Sequence, residues 1–283
     1  MSGDVKPTPK GWIFLRRLPR ESDLRAVVVS LIVCLLCSAA ISLTVSLLRP
    51  YREANRAREQ RARIEQIVRS APGLAALIET GGDAQLEIGI VDLETGRFLT
   101  DVDPEAFDPE RARRDPEQSI VIPPEADLAG LGRRARRARI YRVLERERLL
   151  LLVLPVEGMG YASTLRGYLA LEPDLRTIRA LSFYEHSETP GLGSEIDSPA
   201  WLAQWPGKQA FDEAGEIRIE VAQGRIDRAA PDAIHRVDGI SGATRTGVGV
   251  MRLLHFWLGP EGYGPLLARL AEDHSPDDRE DSR

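Results

Sequence analysis

The chain has 283 residues, 38 Lys and Arg against 43 Asp and Glu, a formal net charge of -5 and 2 cysteines. So few thiols exclude a disulfide-stapled scaffold or an array of zinc ribbons. The acidic balance argues against a general nucleic-acid binder, and the 43% of hydrophobic residues exclude a wholly disordered chain.

A short basic tail, residues 1–25, leads into an apolar stretch. Residues 26–48 carry no charge and, at about 1.5 Å per residue, reach about 35 Å as a helix, enough to cross a ~30 Å hydrocarbon core. A cleaved signal peptide would have a shorter apolar region that ends in small residues, whereas Ser38, Ala39 and Ala40 lie in the middle of this stretch. We predict an uncleaved transmembrane helix over residues 26–48.

Lys and Arg are balanced on the two sides of the predicted span, so their distribution does not orient it. A short tail before a single start-transfer helix favours a cytoplasmic N-terminus and an exported body. Cys34 and Cys37 share one helix face and are open to two interpretations: half of an intramembrane metal or iron–sulfur site, or small packing residues. One chain offers no second pair of thiolates, which favours packing.

After the span, residues 49–72 predict a linker helix, which Pro72-Gly73 ends. Residues 85–100 alternate with a period of two around Glu94-Thr95-Gly96, which predicts a β-hairpin. The Pro-, Asp- and Arg-rich residues 101–127 predict a surface loop. The arginine-rich residues 133–148 are open to two interpretations. They could bind anionic lipid or a partner protein, or they could form a solvated helix or edge strand, and the second interpretation is favoured.

The remaining chain predicts strands over residues 149–155, 168–171, 177–184 and 216–221. A packed helix over residues 247–258 should stop at Gly259-Pro260. The acidic residues 272–283 predict a flexible tail. The predicted fold class is therefore α+β: a single N-terminal transmembrane helix followed by a mixed α+β domain over residues 73–271.

Two polar clusters are candidates for chemistry. In the first, residues 185–193, His186 and Glu188 are a possible base and orienting acid for a Ser187 nucleophile, but neighbouring side chains point apart and no G-x-S-x-G elbow is present. A turn capped by Ser and Thr is the simpler interpretation. In the second cluster, residues 238–247, hydroxyls and small residues precede the predicted helix. This pattern fits a phosphate site and an ordinary helix cap equally well.

A resemblance favours the phosphate interpretation. Residues 241–246, SGATRT, resemble the S-G-A-T-x-T signature of proteins that carry covalent FMN, and residues 188–193, ETPGLG, match a second element of that domain. Residues 199–208 (PAWLAQWPGK) and 256–267 (FWLGPEGYGPLL) are similar to the C subunit of the Na+-translocating NADH:quinone reductase. Most of the matching motifs lie within residues 165–270, and no motif of the family matches residues 101–148. Arg245 stands where the family usually has an apolar residue.

The resemblance implies an electron-transfer subunit with one FMN, attached by a phosphoester to Thr244 through a flavin transferase that uses FAD. Thr246 is the fallback acceptor. The resemblance implies no catalytic acid or base and no metal ligand in this chain. NADH, quinone and the ion path would belong to other subunits of a complex in the bacterial inner membrane. With the orientation favoured above, the FMN domain lies in the periplasm. The remaining implied FMN contacts are Ser241, Gly242, Ala243, Glu188, Thr189, Gly191, Leu192 and Lys208, and Asp238 completes the attachment motif.

Two other functions remain possible from the sequence. The G subunit of the related complex that couples ferredoxin and NAD shares the SGAT and ETPGLG elements, although residues 256–267 fit it less well. A membrane-anchored sensor or binding module, with noncovalent flavin or none, is the alternative from a different class.

Overall fold

The computed structural model describes residues 27–48, 62 and 84–273. The chain divides into two units, Met1–Glu59 and Gln60–Arg283. In the first unit, helix α1 (Val27–Leu48) has 22 residues and is long and apolar enough to cross a membrane, in agreement with the helix predicted over residues 26–48. The predicted N-terminal tail lies outside the described residues, as does the predicted linker helix apart from residue 62, which is helical.

A seven-stranded antiparallel sheet forms the centre of the second unit. Its strands are β1 (Ala84–Asp92), β2 (Phe98–Leu99), β5 (Arg137–Glu145), β6 (Arg148–Met159), β7 (Thr164–Leu171), β8 (Thr177–Glu185) and β9 (Lys208–Gln209). They lie in the order β2-β1-β5-β6-β7-β8-β9. Short ladders pair β3 (Ser119–Val121) with β4 (Arg133–Ala135), and β10 (Glu220–Val221) with β11 (Arg236–Val237).

The helices of this unit are short, apart from two near the end of the described chain. They are α2 (Pro109–Arg114), α3 (Pro199–Leu202), α4 (Thr244–Leu258) and α5 (Gly264–Asp273), with 3₁₀ turns at Gly193–Asp197 and Pro231–His235. The mixture of helix and antiparallel sheet confirms the predicted α+β class. Helix α5 includes residues 272 and 273, so the predicted tail cannot begin at residue 272; residues 274–283 lie outside the described chain.

The predicted hairpin over residues 85–100 is confirmed, because β1 and β2 pair antiparallel with Ile90 opposite Leu99. The predicted loop over residues 101–127 is only partly correct. It contains α2 and β3 and buries Ala112 and Ile122. The strand predicted over residues 216–221 is reduced to β10 at its end, with one isolated bridge between Phe211 and Ile217.

A solvated helix or edge strand over residues 133–148 is a wrong prediction, since β5 lies between β1 and β6 inside the sheet. Arg142 pairs with Glu87 at 2.9 Å and its guanidinium lies 4.0 Å from the centre of the Phe98 ring. Arg134 on β4 is only 4% exposed and lies 3.7 Å from Glu261. The aliphatic part of a long arginine side chain can cover apolar surface while its guanidinium group pairs with a partner. The high charge density of this segment is therefore a poor guide to its burial.

Helix α4 and Tyr263, the residue before α5, are hydrogen-bonded to the second half of β6. Trp257 Nε1 donates to the Glu157 carbonyl at 2.7 Å, and the Tyr263 hydroxyl donates to the Pro155 carbonyl at 2.8 Å. Burial raises the pKa of Tyr263 well above its usual value, so this hydroxyl stays a donor. The pairing of β6 with β5 ends at Val153, opposite Tyr141. Pro155 lies beyond this point, so its missing N–H removes no hydrogen bond between β6 and β5.

The β5–β6 hairpin turns through Arg146 and Glu147, whose φ angles are 48° and 69°. An L-residue in this left-handed region costs roughly 1–2 kcal/mol, which glycine avoids. We expect Glu147→Gly to raise the free energy of unfolding by roughly 0.5–1 kcal/mol in urea denaturation followed by tryptophan fluorescence. Glu145→Gly, within the preceding strand, should lower it. Equal losses in both variants would contradict the expected relief of strain.

Candidate functional site

Helix α4 begins at Thr244, in the middle of the SGATRT segment. Its N-cap residue is Ala243, which offers no side-chain cap, and its first turn contains no acidic residue. The amides of residues 244–246 find no acceptor within the described part of the chain. The helix therefore presents free N–H groups and the positive end of its dipole, a combination that suits a phosphate or phosphoester.

Thr244 and Thr246 differ sharply in their surroundings. Thr244, the first residue of α4, is exposed, together with Ser241 and Gly242 of the preceding turn. Thr246 is 1% exposed, and its hydroxyl donates to Glu188 Oε2 at 2.7 Å. Only the first of these two hydroxyls is open to an approaching reagent.

Glu188 fixes the ETPGLG loop against α4. Besides the Thr246 hydroxyl, it accepts hydrogen bonds at Oε1 from the amides of Ala162, at 2.9 Å, and Ser163, at 3.3 Å. The carboxyl-bearing side chain is 4% exposed. A Cβ at Gly193 would lie 2.7 Å from Glu188 Oε2, so a larger residue there would displace the carboxylate. One buried carboxylate thus joins the loop, the helix start and the tip of the β6–β7 hairpin.

Two exposed apolar side chains lie near the helix start. Leu192 lies beside the SGAT turn: a Cβ on Gly242, whose φ is +74°, would be 3.0 Å from Leu192 Cδ2. Separately, the guanidinium carbon of Arg245, the second residue of α4, lies 5.5 Å from the centre of the exposed Tyr161 ring. An aromatic ligand held at Thr244 would find exposed apolar surface nearby and a cation for an anionic group.

The rest of the ETPGLG loop is held by its own hydrogen bonds. The Thr189 carbonyl accepts from the Leu192 and Ser194 amides, at 3.1 and 3.2 Å, and the Gly191 amide donates to Ser194 Oγ at 3.0 Å. Gly191 is one of the FMN contacts that the resemblance implies. The Gly191 amide is already used within the loop, in the bond to Ser194 Oγ. Gly191 itself turns the chain there with φ +73°.

His186 supports the same loop. Its Nε2 lies 2.7 Å from Asp197 Oδ2, while its Nδ1 accepts from the Glu188 amide at 3.2 Å. Both ring nitrogens are therefore engaged, and neither is free to take a proton from Ser187. The geometry favours a supporting role over the hydrolase interpretation.

Two further predicted residues make contacts with other loops. Lys208 donates from Nζ to the Ala233 carbonyl at 2.6 Å and lines a separate cleft, to which residues 186–193 and 241–246 contribute nothing. Asp238 links loops: its Oδ1 accepts from the Ile226 amide at 2.8 Å, and its carbonyl accepts from Trp201 Nε1 at 2.9 Å. Lys208 as a neighbour of the phosphate stays a prediction of the resemblance. Conversely, sequence reasoning missed Tyr161 and Ala162, because no motif marks the hairpin tip.

Comparisons with known proteins agree with this geometry. The family model of the FMN-binding domain matches residues 160–259, which include the hairpin tip, the ETPGLG loop and α4. The Pseudomonas aeruginosa protein that is named as the C subunit of Na(+)-translocating NADH-quinone reductase is 39% identical over 253 residues, 89% of this chain and 97% of that protein. Its namesake in Yersinia pestis is 35% identical over 259 residues, 90% and 96% of the two chains.

Solved structures give the same result. The crystal structure of Shewanella oneidensis NqrC superposes with a TM-score of 0.65 at 34% identity, covering 77% of this chain and 98% of that chain. The crystal structure of the Parabacteroides distasonis protein of the same name shares the fold, with a TM-score of 0.55 at 24% identity over 78% and 96% of the two chains. The family predicted from SGATRT and ETPGLG is confirmed: the chain belongs to the family of the C subunit of the Na(+)-translocating NADH-quinone reductase.

Proposed function

We propose that this chain is the electron-transfer subunit of a multisubunit Na+-translocating NADH:quinone reductase, and that one FMN is esterified through its phosphate to Thr244. The observation that carries the proposal is the contrast at the start of α4, where Thr244 is exposed beside unpaired amides and Thr246 is buried on Glu188. Bound FMN supplies the redox chemistry, and the protein sets its position and the charge around it.

The residues around Thr244 fit such a group. In the attachment, the Thr244 oxygen would bond to the flavin-side phosphorus of FAD, the pyrophosphate P–O bond would break, and AMP and the hydroxyl proton would leave. Small residues at Gly242 and Ala243 leave the approach open, and the α4 amides with Arg245 offset the phosphate charge. The exposed side chains of Leu192 and Tyr161 would offer apolar surface to the isoalloxazine.

The other parts of the enzyme fall outside this chain. The described residues contain no cluster of His, Cys, Asp and Glu that could hold a metal ion. In this proposal NADH, the quinone and the ion path belong to partner subunits, and a flavin transferase is needed for maturation. Helix α1 would anchor the protein in the lipid bilayer of the bacterial inner membrane.

Intact mass tests the attachment. The full chain, produced together with a flavin transferase and purified in detergent, should carry the added mass of one FMN that is linked through its phosphate. After acid precipitation the washed pellet should still fluoresce as flavin. The contrary result is a colourless pellet and a polypeptide of unmodified mass, obtained from cells in which the transferase modifies another substrate. That result would favour the sensor or binding module without covalent flavin.

The orientation in the membrane is a separate proposal. We propose a cytoplasmic N-terminus and a periplasmic FMN domain, the arrangement expected when α1, the one candidate span among the described residues, acts as a start-transfer helix. A reporter enzyme that is active only outside the cytoplasm, fused after Arg283, should be active. A reporter that is active only in the cytoplasm, fused at the same point, should be silent, and the reverse pattern would refute the periplasmic assignment.

A further inference from the structure

A cleft of 520 Å³ lies between the α3–β9 region and residues 226–234. Its polar side chains are Gln204, Lys208 and Arg228, and Ile226 and Ile234 are the largest apolar residues in its wall. The volume falls within the ~300–1,000 Å³ that is usual for small-molecule sites. The cleft is thus large enough for a small ligand, and none of its lining residues belongs to the SGATRT or ETPGLG segment.

The polar side chains of the cleft offer donors and no free acceptor. Lys208 uses one ammonium proton on the Ala233 carbonyl, which leaves the rest of its donor capacity for a ligand. Gln204 Oε1 already accepts from the Asp238 amide at 2.9 Å, so its NH₂ group is the part that remains available. Arg228 makes no ion pair with any residue in the described chain, and no carboxylate lines the cleft.

The two cations are close enough to affect one another. Partial burial lowers the pKa of Lys208, and the charge of Arg228 lowers it further, whereas Asp238 acts in the opposite direction. Asp238 lies behind the cleft and does not line it. An anion between Lys208 and Arg228 would relieve their repulsion and receive charge-assisted hydrogen bonds from both.

We propose that this cleft binds a small phosphate monoester, with its phosphate on Lys208, Arg228 and Gln204 and its carbon skeleton against Ile226 and Ile234. A phosphate monoester carries close to two negative charges at neutral pH and can offset both cations of the lining, which a carboxylate cannot. Ile234 is 42% exposed without a ligand, and a ligand with an apolar part would cover it.

Isothermal titration calorimetry on the full chain in nonionic detergent, at constant ionic strength, tests this site with phenyl phosphate and inorganic phosphate as probes. Phenyl phosphate should bind about fivefold more tightly than inorganic phosphate, because only its ring contacts the isoleucines. Arg228→Gln should weaken the binding of phenyl phosphate about tenfold. Arg225→Gln removes the same charge from an exposed position outside the cleft and should leave the binding unchanged.

Three results would overturn the proposal: no binding of phenyl phosphate to the folded chain, equal losses in the Arg228 and Arg225 variants, or equal affinities for the two probes. Arg228 is exposed, so its variant should fold, and Lys208→Gln provides an independent second loss. Flavin-free Thr244→Val chain should bind phenyl phosphate as the flavin-loaded chain does. Binding that flavin attachment abolishes would assign the cleft to the flavin and refute a separate site.

Discussion

Thr244→Val should abolish covalent flavin completely, while leaving the domain folded. The side chain is exposed at the first position of α4 and serves neither as a cap nor as a partner in the described hydrogen bonds. Its loss should therefore change the free energy of unfolding by no more than about 0.5 kcal/mol. The intact mass should drop to that of the unmodified polypeptide, and the acid-precipitated pellet should lose its flavin fluorescence.

Two further variants distinguish the acceptor from its neighbour. Thr244→Ser keeps a hydroxyl at the same place and should still be modified. Thr246→Val removes the donor to Glu188 Oε2 and leaves a buried carboxylate oxygen without that partner, which should destabilise the domain by roughly 1–3 kcal/mol. It should nevertheless leave the flavin on Thr244. Flavin on the Thr244→Val chain, or its loss from a Thr246→Val chain that is still folded, would contradict Thr244 as the acceptor.

The start of α4 was predictable because its signals are local. Small and hydroxyl residues precede an apolar helical pattern, and Gly259-Pro260 marks the end, so both the helix and its phosphate-binding character follow from neighbouring residues. The strand over residues 149–155 was equally clear from its continuous apolar run. The two threonines could not be separated in this way, since the partner of the Thr246 hydroxyl is Glu188, 58 positions away.

The partners of long charged side chains are hard to derive from the sequence, as two segments show. The arginines of residues 133–148 suggested a solvated segment, although Arg134 and Arg142 lie against partners within the fold. Lys208 follows a family-like motif, yet its ammonium group lies in another cleft on a backbone carbonyl. In both cases the long side chain ends far from its own backbone. Its partner is therefore decided by strand pairing and loop packing across the fold.

Glu188→Ala should cause the largest loss of stability among the site variants, because Glu188 is the acceptor for three donors from two other segments. Removal of its carboxylate leaves the amides of Ala162 and Ser163 and the buried Thr246 hydroxyl without their acceptor. An unsatisfied buried group costs roughly 1–3 kcal/mol, and water entering the vacated space recovers part of this. We expect a loss of roughly 2–4 kcal/mol, equivalent to several degrees in the melting temperature.

Glu188→Gln and Glu195→Ala are the matched controls. Glutamine keeps the length and an Oε1 acceptor for the two amides, and Thr246 can instead accept from the new NH₂ group, so the loss should be smaller than in Glu188→Ala. Glu195 belongs to the adjoining 3₁₀ turn and is exposed. Its alanine variant should change the free energy of unfolding by no more than about 0.5 kcal/mol.

Hydrogen exchange distinguishes a local role of Glu188 from a general loss of stability. If its carboxylate holds the hairpin tip, the amides of Ala162 and Ser163 should exchange faster in Glu188→Ala, even under conditions where the β6 and β7 amides remain protected. Glu188→Gln should retain most of that protection. Because the same carboxylate holds Thr246, a loosened α4 start should also lower the yield of flavin on Thr244. Unchanged exchange at the tip, or a melting temperature equal to that of Glu195→Ala, would show that this carboxylate does not join the three segments.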